Sequence, residues 1–220
     1  DSTKKISNKI FTRKELGLPE NGFIFCCFNK NYKITPNVFD SWMKILKNVK
    51  DSIFWLFETN PIVIKNLQQE AKKRGVKSDR LIFAKRMTLD KHLARLKVAD
   101  LFLDTLPYTA HTTSSDALWS GLPIIVHIGQ SFQSRVSASL LTAIELPELI
   151  TRSEKEYEDL AIKLATNPGQ FVKIKNKLKK NRLKTPLFDA KLFTKNIESA
   201  YTMMHEKYLK NLPLENIEIK

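Results

Sequence analysis

This chain of 220 residues has almost no cysteine: Cys26 and Cys27 stand side by side, and there are no others. They fall on a stretch that reads as one strand, where neighbouring side chains point to opposite faces, so an ordinary disulfide between them is not expected. With four histidines and no ligand spacing, no metal site is expected either. A reducing, cytoplasmic setting fits this cysteine usage. The six glycines form neither a G-x-G-x-x-G fingerprint nor a Walker loop, which speaks against an NAD-dependent dehydrogenase and a P-loop ATPase. Long apolar runs are missing as well. The longest, around Ile53–Phe57 and Ile124–Val126, are strand-sized, whereas a membrane span needs roughly 18 apolar residues, so a soluble chain without a span is expected.

Acidic residues are the minority charge: 23 Asp and Glu against 37 Lys and Arg leave a formal +14. Such an excess suits a nucleic acid or a smaller anionic ligand. Much of it sits in Lys173, Lys175, Lys177, Lys179, Lys180, Arg182 and Lys184, within a helical pattern carrying Phe171, Ile174, Leu178 and Leu183. The cluster reads as a solvated helix face, and no aromatics that could stack bases are interleaved with it, so no nucleic-acid partner is expected. The chain opens at Asp1 rather than Met, in a lysine-bearing polar stretch to Lys9 with no signal-peptide pattern. That start is read as a cut within a longer polypeptide.

What is present is an alternation. Six short apolar runs, Phe23–Asn29, Ser52–Glu58, Leu81–Lys85, Leu101–Thr105, Pro123–Ile128 and, weakly, Glu148–Thr151, alternate with stretches of helical periodicity. Continuously apolar runs such as Ile53-Phe54-Trp55-Leu56-Phe57 suit parallel strands covered on both faces. Helices are expected over Pro36–Val49, Pro61–Gly75, Leu89–Val98, Thr113–Ser120, Phe132–Ile144, Glu154–Thr166, Pro168–Arg182 and Ala190–Lys210. Thr35-Pro36 and Asn60-Pro61 read as helix starts, and Gly75 and Gly121 as helix ends. The expected fold class is therefore α/β, a single lobe over 1–220 with a parallel core over 1–151 and a helical part over 152–220. The last helix is expected to pack across the domain or onto a partner half-domain.

Three segments could carry chemistry. The first runs from the strand Leu101–Thr105 through Leu106–Ala110 to His111-Thr112-Thr113-Ser114-Ser115-Asp116. A helix start presents free N–H groups and a positive dipole end, so a diphosphate can sit there with Thr hydroxyls adding donors, while Asp116, one turn in, accepts from a ribose. Equally, Thr113 and Asp116 can form only a capping box, and His111 only a capping or packing residue. The second is Asn29-Lys30-Asn31-Tyr32-Lys33 after the first strand, where parallel sheets open into a crevice. Lys30 and Lys33 can neutralise phosphate oxygens there, or can be exposed loop lysines. The third is Met87-Thr88-Leu89-Asp90-Lys91-His92-Leu93-Ala94-Arg95: with Thr88 as cap, His92 and Arg95 share a face and can turn an imidazole and a guanidinium toward the same crevice, unless this is an ordinary surface helix.

Taken in order, the chain resembles the O-linked N-acetylglucosamine transferase family, family 41 of the glycosyltransferases, which includes the plant SPINDLY proteins and bacterial relatives. The resemblance runs from about Phe11 to about Tyr208. It is carried by Gly17-Leu18-Pro19-Glu20, Phe28-Asn29, Tyr32-Lys33-Ile34, His111-Thr112-Thr113, Asp116, Leu118-Trp119, Gly121, Pro123, Ser134-Arg135-Val136, Glu156-Tyr157-Glu158 and Pro186-Leu187-Phe188. It implies a Rossmann-like parallel sheet flanked by helices, the C-terminal lobe of a B-type glycosyltransferase, holding a UDP-sugar without a metal or other cofactor. It also implies an N-terminal lobe and tetratricopeptide repeats upstream, which carry the protein acceptor and are absent from this chain, so no general base is named. By position, Lys33 would contact the diphosphate and act as the catalytic residue, His111, Thr112 and Thr113 would form the phosphate-binding start, and Asp116 would hold the ribose. His92 would stack on uracil beside Arg95, with the backbone near Met87 and Thr88 reading the base edge. Lys30 stands where the family carries glutamine, and Leu89 where it carries a lysine along the nucleotide, which leaves donor preference open among UDP-N-acetylglucosamine, UDP-glucose and GDP-fucose. The function so implied is transfer of N-acetylglucosamine to Ser or Thr hydroxyls of proteins with inversion; the alternative is a module that binds nucleotide sugar without transferring it.

Overall fold

The computed structural model describes residues 3–219. Asp1, Ser2 and Lys220, the ends of the expected lobe, lie outside the described residues. Six strands, β1 (Ile24–Cys27), β2 (Ile53–Phe57), β3 (Leu81–Ala84), β4 (Leu101–Leu103), β5 (Ile124–His127) and β6 (Ile150–Thr151), form one sheet in the order β3-β2-β1-β4-β5-β6. All pairings are parallel, with Phe25 opposite both Phe54 and Leu101. The central strands are apolar along their length because helices cover both faces: Ile24, Phe25, Phe54, Phe102 and Ile125 are fully buried.

The covering helices are α1 (Pro36–Asn48), α2 (Pro61–Lys73), α3 (Leu89–Leu96), α4 (Thr112–Ser120), α5 (Val136–Ala143), α6 (Glu154–Thr166), α7 (Pro168–Asn181) and α8 (Ala190–Leu209). Right-handed crossovers with this strand order put α1 and α2 on one face and α3, α4 and α5 on the other; α6 packs beside α1. Thr35 and Asn60 cap α1 and α2 by accepting from Val38 N and Val63 N. Gly75 (φ 74°) and Gly121 (φ 83°) take the left-handed conformation that ends α2 and α4.

Three expectations change. The helix read over Phe132–Ile144 is a 3-10 turn at Phe132–Ser134 followed by α5, because Arg135 leaves the turn at φ −112° and the regular bonds begin after it. The weak strand over Glu148–Thr151 is a 3-10 turn at Pro147–Leu149 followed by the two-residue β6. Of the two places expected for the last helix, across this lobe or onto a partner half-domain, the first is excluded: none of its residues is buried, and Phe193, Tyr201 and Tyr208 are exposed. The basic cluster lies on α7 up to Lys180 and continues past its end to Arg182 and Lys184; the buried positions of α7 are Leu178 and Asn181, so most of the lysines face solvent. Cys26 and Cys27 are unpaired and buried. No helix is long and apolar enough to cross a membrane among the described residues.

Candidate functional site

In a sheet of this order, adjacent helices leave opposite faces between β1 and β4, and a crevice opens outside the carboxyl ends of the strands there. Its floor is polar, with the hydrogen bonds gathered on Asp104 Oδ1 while Asp104 Oδ2 and Asn29 Oδ1 are buried without a hydrogen-bond partner among the described residues. Asn29, two residues past the end of β1, donates from Nδ2 to Asp104 Oδ1 at 3.1 Å and to Thr105 Oγ1 at 2.8 Å. Asp104 Oδ1 also accepts from the backbone N–H of Thr105 at 2.8 Å and of Ala110 at 2.7 Å, closing the loop that joins β4 to α4. Burial raises the Asp104 carboxyl above its ordinary value, and the Ser137 hydroxyl together with these N–H donors opposes the rise. Beneath it a buried relay runs between helices, with Trp42 Nε1 donating to Tyr157 Oη and Tyr157 Oη donating to the Asp104 carbonyl.

On this floor stands Lys33. Its ammonium donates to the Thr109 carbonyl at 2.9 Å and lies 3.9 Å from the centroid of the Tyr108 ring. Partial burial lowers its pKa from the usual lysine value, while the charge of Asp104 works the other way. Lys30 is exposed in the same turn. Beside Lys33, α4 begins. His111 occupies the N-cap position without a side-chain cap bond, its Nε2 lying 3.4 Å from the Gln133 carbonyl; Thr112 is exposed and Thr113 half-buried in the first turn. Thr109 pins the approach to this start by donating from N and Oγ1 to the same Gln133 carbonyl, and Ser114 ties α4 to α5 through Ser137. The first N–H groups of α4 and the Lys33 ammonium thus meet at one end of the crevice, an arrangement suited to an oxyanion-rich ligand.

Asp116 does not form a capping box with Thr113. It is buried, and its Oδ1 takes the Lys4 ammonium at 2.5 Å, while Trp119 Nε1 donates to the Lys4 carbonyl. The carboxylate is thus engaged by Lys4 rather than free.

The third segment begins α3. Met87 is half-buried, Thr88 occupies the N-cap position without a side-chain cap bond, and Leu89 is 51% exposed. His92 lies edge-to-face on Phe28, centroids 5.1 Å apart. Burial, with the Arg95 charge second, lowers its pKa to about 4, so the ring is neutral. Arg95 does not share the crevice as expected, since its side chain is 1% exposed. Its Nε–H donates to His92 Nδ1 at 3.0 Å, its Nη1 to the Lys85 carbonyl at 2.5 Å, and its plane lies against Phe28 and Trp55. The physical reason is local. One short turn links β3 to α3, so a residue two turns along points back under the strand ends, and there a guanidinium finds a carbonyl and two rings. Arg95 sets the tautomer of His92, leaving the proton on Nε2.

Tyr108 and Lys4 had not been singled out. Tyr108 follows a proline in an irregular loop and carries no periodic signal; Lys4 is one of many lysines, and only the fold brings it to Asp116. Asn29 and Asp104 were more legible, each being the first strongly polar residue after an apolar run.

The family model of glycosyl transferase family 41 matches residues 2–197. The chain is 32% identical over 216 residues to a UDP-N-acetylglucosamine–peptide N-acetylglucosaminyltransferase of Caenorhabditis elegans, covering 97% of this chain and 19% of that protein. It is 37% identical over 193 residues to the probable enzyme of that name, SEC, of Arabidopsis thaliana, covering 87% and 20%. Among solved structures it matches a mutant of the Thermobaculum terrenum O-GlcNAc transferase with a TM-score of 0.80 and 33% identity, over 83% of this chain and 36% of that one. The chain therefore spans about a fifth of the length of these curated relatives. Anabaena Alr3699/HepE, solved with UDP and glucose, shares the fold at a TM-score of 0.62 and 13% identity.

Proposed function

The chain belongs to glycosyl transferase family 41, and from that membership we propose that it is the donor-binding lobe of a transferase that moves N-acetylglucosamine from UDP-N-acetylglucosamine to Ser or Thr hydroxyls of proteins, with inversion. One observation carries the reading: the Lys33 ammonium, the start of α4 and the neutral His92 ring stand around the carboxyl ends of β1, β4 and β3. This set of groups suits a nucleoside diphosphate, with the base against His92 and the phosphates between Lys33 and α4. As the bond from sugar to phosphate breaks, negative charge grows on the departing diphosphate. An ammonium and a row of helix N–H groups lower the barrier by meeting that charge. No metal ion is needed in this account, and Lys33 is its catalytic residue. The protein acceptor would be held by upstream parts of a longer polypeptide.

The test is calorimetric titration of the chain with UDP, GDP and UMP, with and without a chelator, repeated for His92→Ala and Lys33→Ala. Expected is UDP binding that the chelator leaves unchanged, weakened alongside UMP by His92→Ala and weakened more than UMP by Lys33→Ala. Tighter binding of GDP than UDP would move the donor to a guanosine carrier, and absence of binding to any nucleotide would overturn the reading.

A further inference from the structure

The buried pair of Asn29 and Asp104 is more elaborate than a β1 to β4 contact requires. One carboxylate oxygen, Asp104 Oδ1, gathers the N–H of Thr105, the N–H of Ala110 and the Asn29 side chain. The loop so closed serves the crevice twice: Thr109, within it, offers the carbonyl that holds Lys33, and His111, directly after Ala110, opens α4. Thr105 Oγ1, itself held by Asn29, donates to the backbone carbonyl of Tyr108 at 2.7 Å, the residue whose ring lies against Lys33. The loop from Thr105 to Ala110, which carries the Lys33 acceptor and leads into α4, is thus tied back to the same carboxylate.

Resting on the donor-lobe reading above, we propose that Asp104 is a positioning residue of that site, one that holds the α4 start and the Lys33 acceptor in a single loop and uses its charge to oppose the burial of the Lys33 ammonium. The groups that face Lys33 are Asp104 at the end of β4, Cys27 of β1 and the Tyr108 ring of the loop. Those that face Asp104 are Lys33, Cys27 and, from α6, Tyr157. Burial drives the Cys27 thiol and the Tyr157 hydroxyl upward, and among the groups facing Lys33 the charge of Asp104 is the largest influence that raises its pKa against burial. The sign follows directly. Lys33 binds phosphate while protonated, burial already lowers its pKa, and loss of the Asp104 charge lowers it further, so binding should fail at a lower pH.

The experiment follows the Lys33 ε-carbon by NMR across alkaline pH in the full chain, in Asp104→Asn and in Asn29→Ala, alongside calorimetric titration with UDP and with uridine. Asp104→Asn keeps an oxygen for the two N–H groups but removes the charge. Its Lys33 midpoint is expected to fall by about one pH unit, and the alkaline loss of UDP affinity to move with it. Asn29→Ala keeps the charge but frees the loop from β1, so the midpoint should hold while UDP weakens at least about threefold and uridine does not. An unmoved midpoint in Asp104→Asn, or unchanged UDP affinity in both variants, would overturn the proposal. If Asp104→Asn fails to fold, Asn29→Ala decides through its split between UDP and uridine. If the unaltered chain binds no UDP, the donor reading itself falls, whatever the Lys33 midpoint does.

Discussion

Arg95→Met separates what a buried guanidinium does for the fold from what it does for His92. Methionine fills similar volume without charge, so it removes both the desolvation cost of the guanidinium, which is several kcal/mol, and the contacts that offset it. Those contacts are a hydrogen bond to the Lys85 carbonyl at 2.5 Å, one to His92 Nδ1 at 3.0 Å, and the faces of Phe28 and Trp55 at 5.0 and 5.8 Å. Charged hydrogen bonds contribute about 1.5–3 kcal/mol each, and ring contacts of this kind about 1–2 kcal/mol. The sums nearly cancel, except that the variant leaves the Lys85 carbonyl without its donor. A net loss of about 2 kcal/mol is expected, or roughly 4–8 °C in Tm for a chain of this length.

The same substitution acts on His92. Its folded pKa of about 4 lies below the 6.5 of an unperturbed ring, so between those values the unfolded chain binds more protons. Stability held by the neutral ring is full above about pH 6.5 and is lost as pH falls through about 4. Arg95 is the second cause of that depression after burial, so in Arg95→Met the His92 midpoint, read from its ring proton resonances, should rise. The acid limb of the melting curve should become shallower with it. An unchanged Tm together with an unmoved midpoint would refute the reasoning, because it would mean the guanidinium supports neither the strand end nor the tautomer.

The other expectations test the frame and the site. Gly22 has φ 95°, and a Cβ there would stand 2.0 Å from the Asp51 carbonyl oxygen; Gly22→Ala should cost about 2–4 kcal/mol in urea unfolding, and a cost below experimental error would show that the turn yields freely. Tyr157→Phe strands both the Trp42 indole N–H and the Asp104 carbonyl, and a loss of about 2–4 kcal/mol by thermal unfolding is expected. Lys33→Ala in a complete polypeptide should lower turnover by far more than the change in Tm would explain, whereas near-normal turnover would remove its leaving-group role.

Much of the architecture is legible in the chain itself. Continuous runs such as Ile53–Phe57, the proline starts of α1 and α2, and the glycines after α2 and α4 specify parallel strands and bounded helices, because these signals act over a few residues. They do so wherever the segment lies in space. The candidate site was legible to the extent that its groups follow strand ends in order, as Lys33, His92 and His111 do. The 3-10 break before α5 was not, since Phe132–Ile144 is helical in pattern, and only the bonding around Arg135 interrupts it.

What the tertiary structure alone decided is which polar groups meet. Nothing within its own segment directs Lys4 to Asp116, sends Arg95 beneath the crevice rather than into it, or gathers Asn29, Thr105 and Ala110 on one oxygen of Asp104. Local pattern reports whether a residue is turned inward or outward on its own element. Partners come from packing, which joins residues such as Asn29 and Asp104 that follow the ends of different strands, and it is this packing that sets the tautomer and reach of groups at the site.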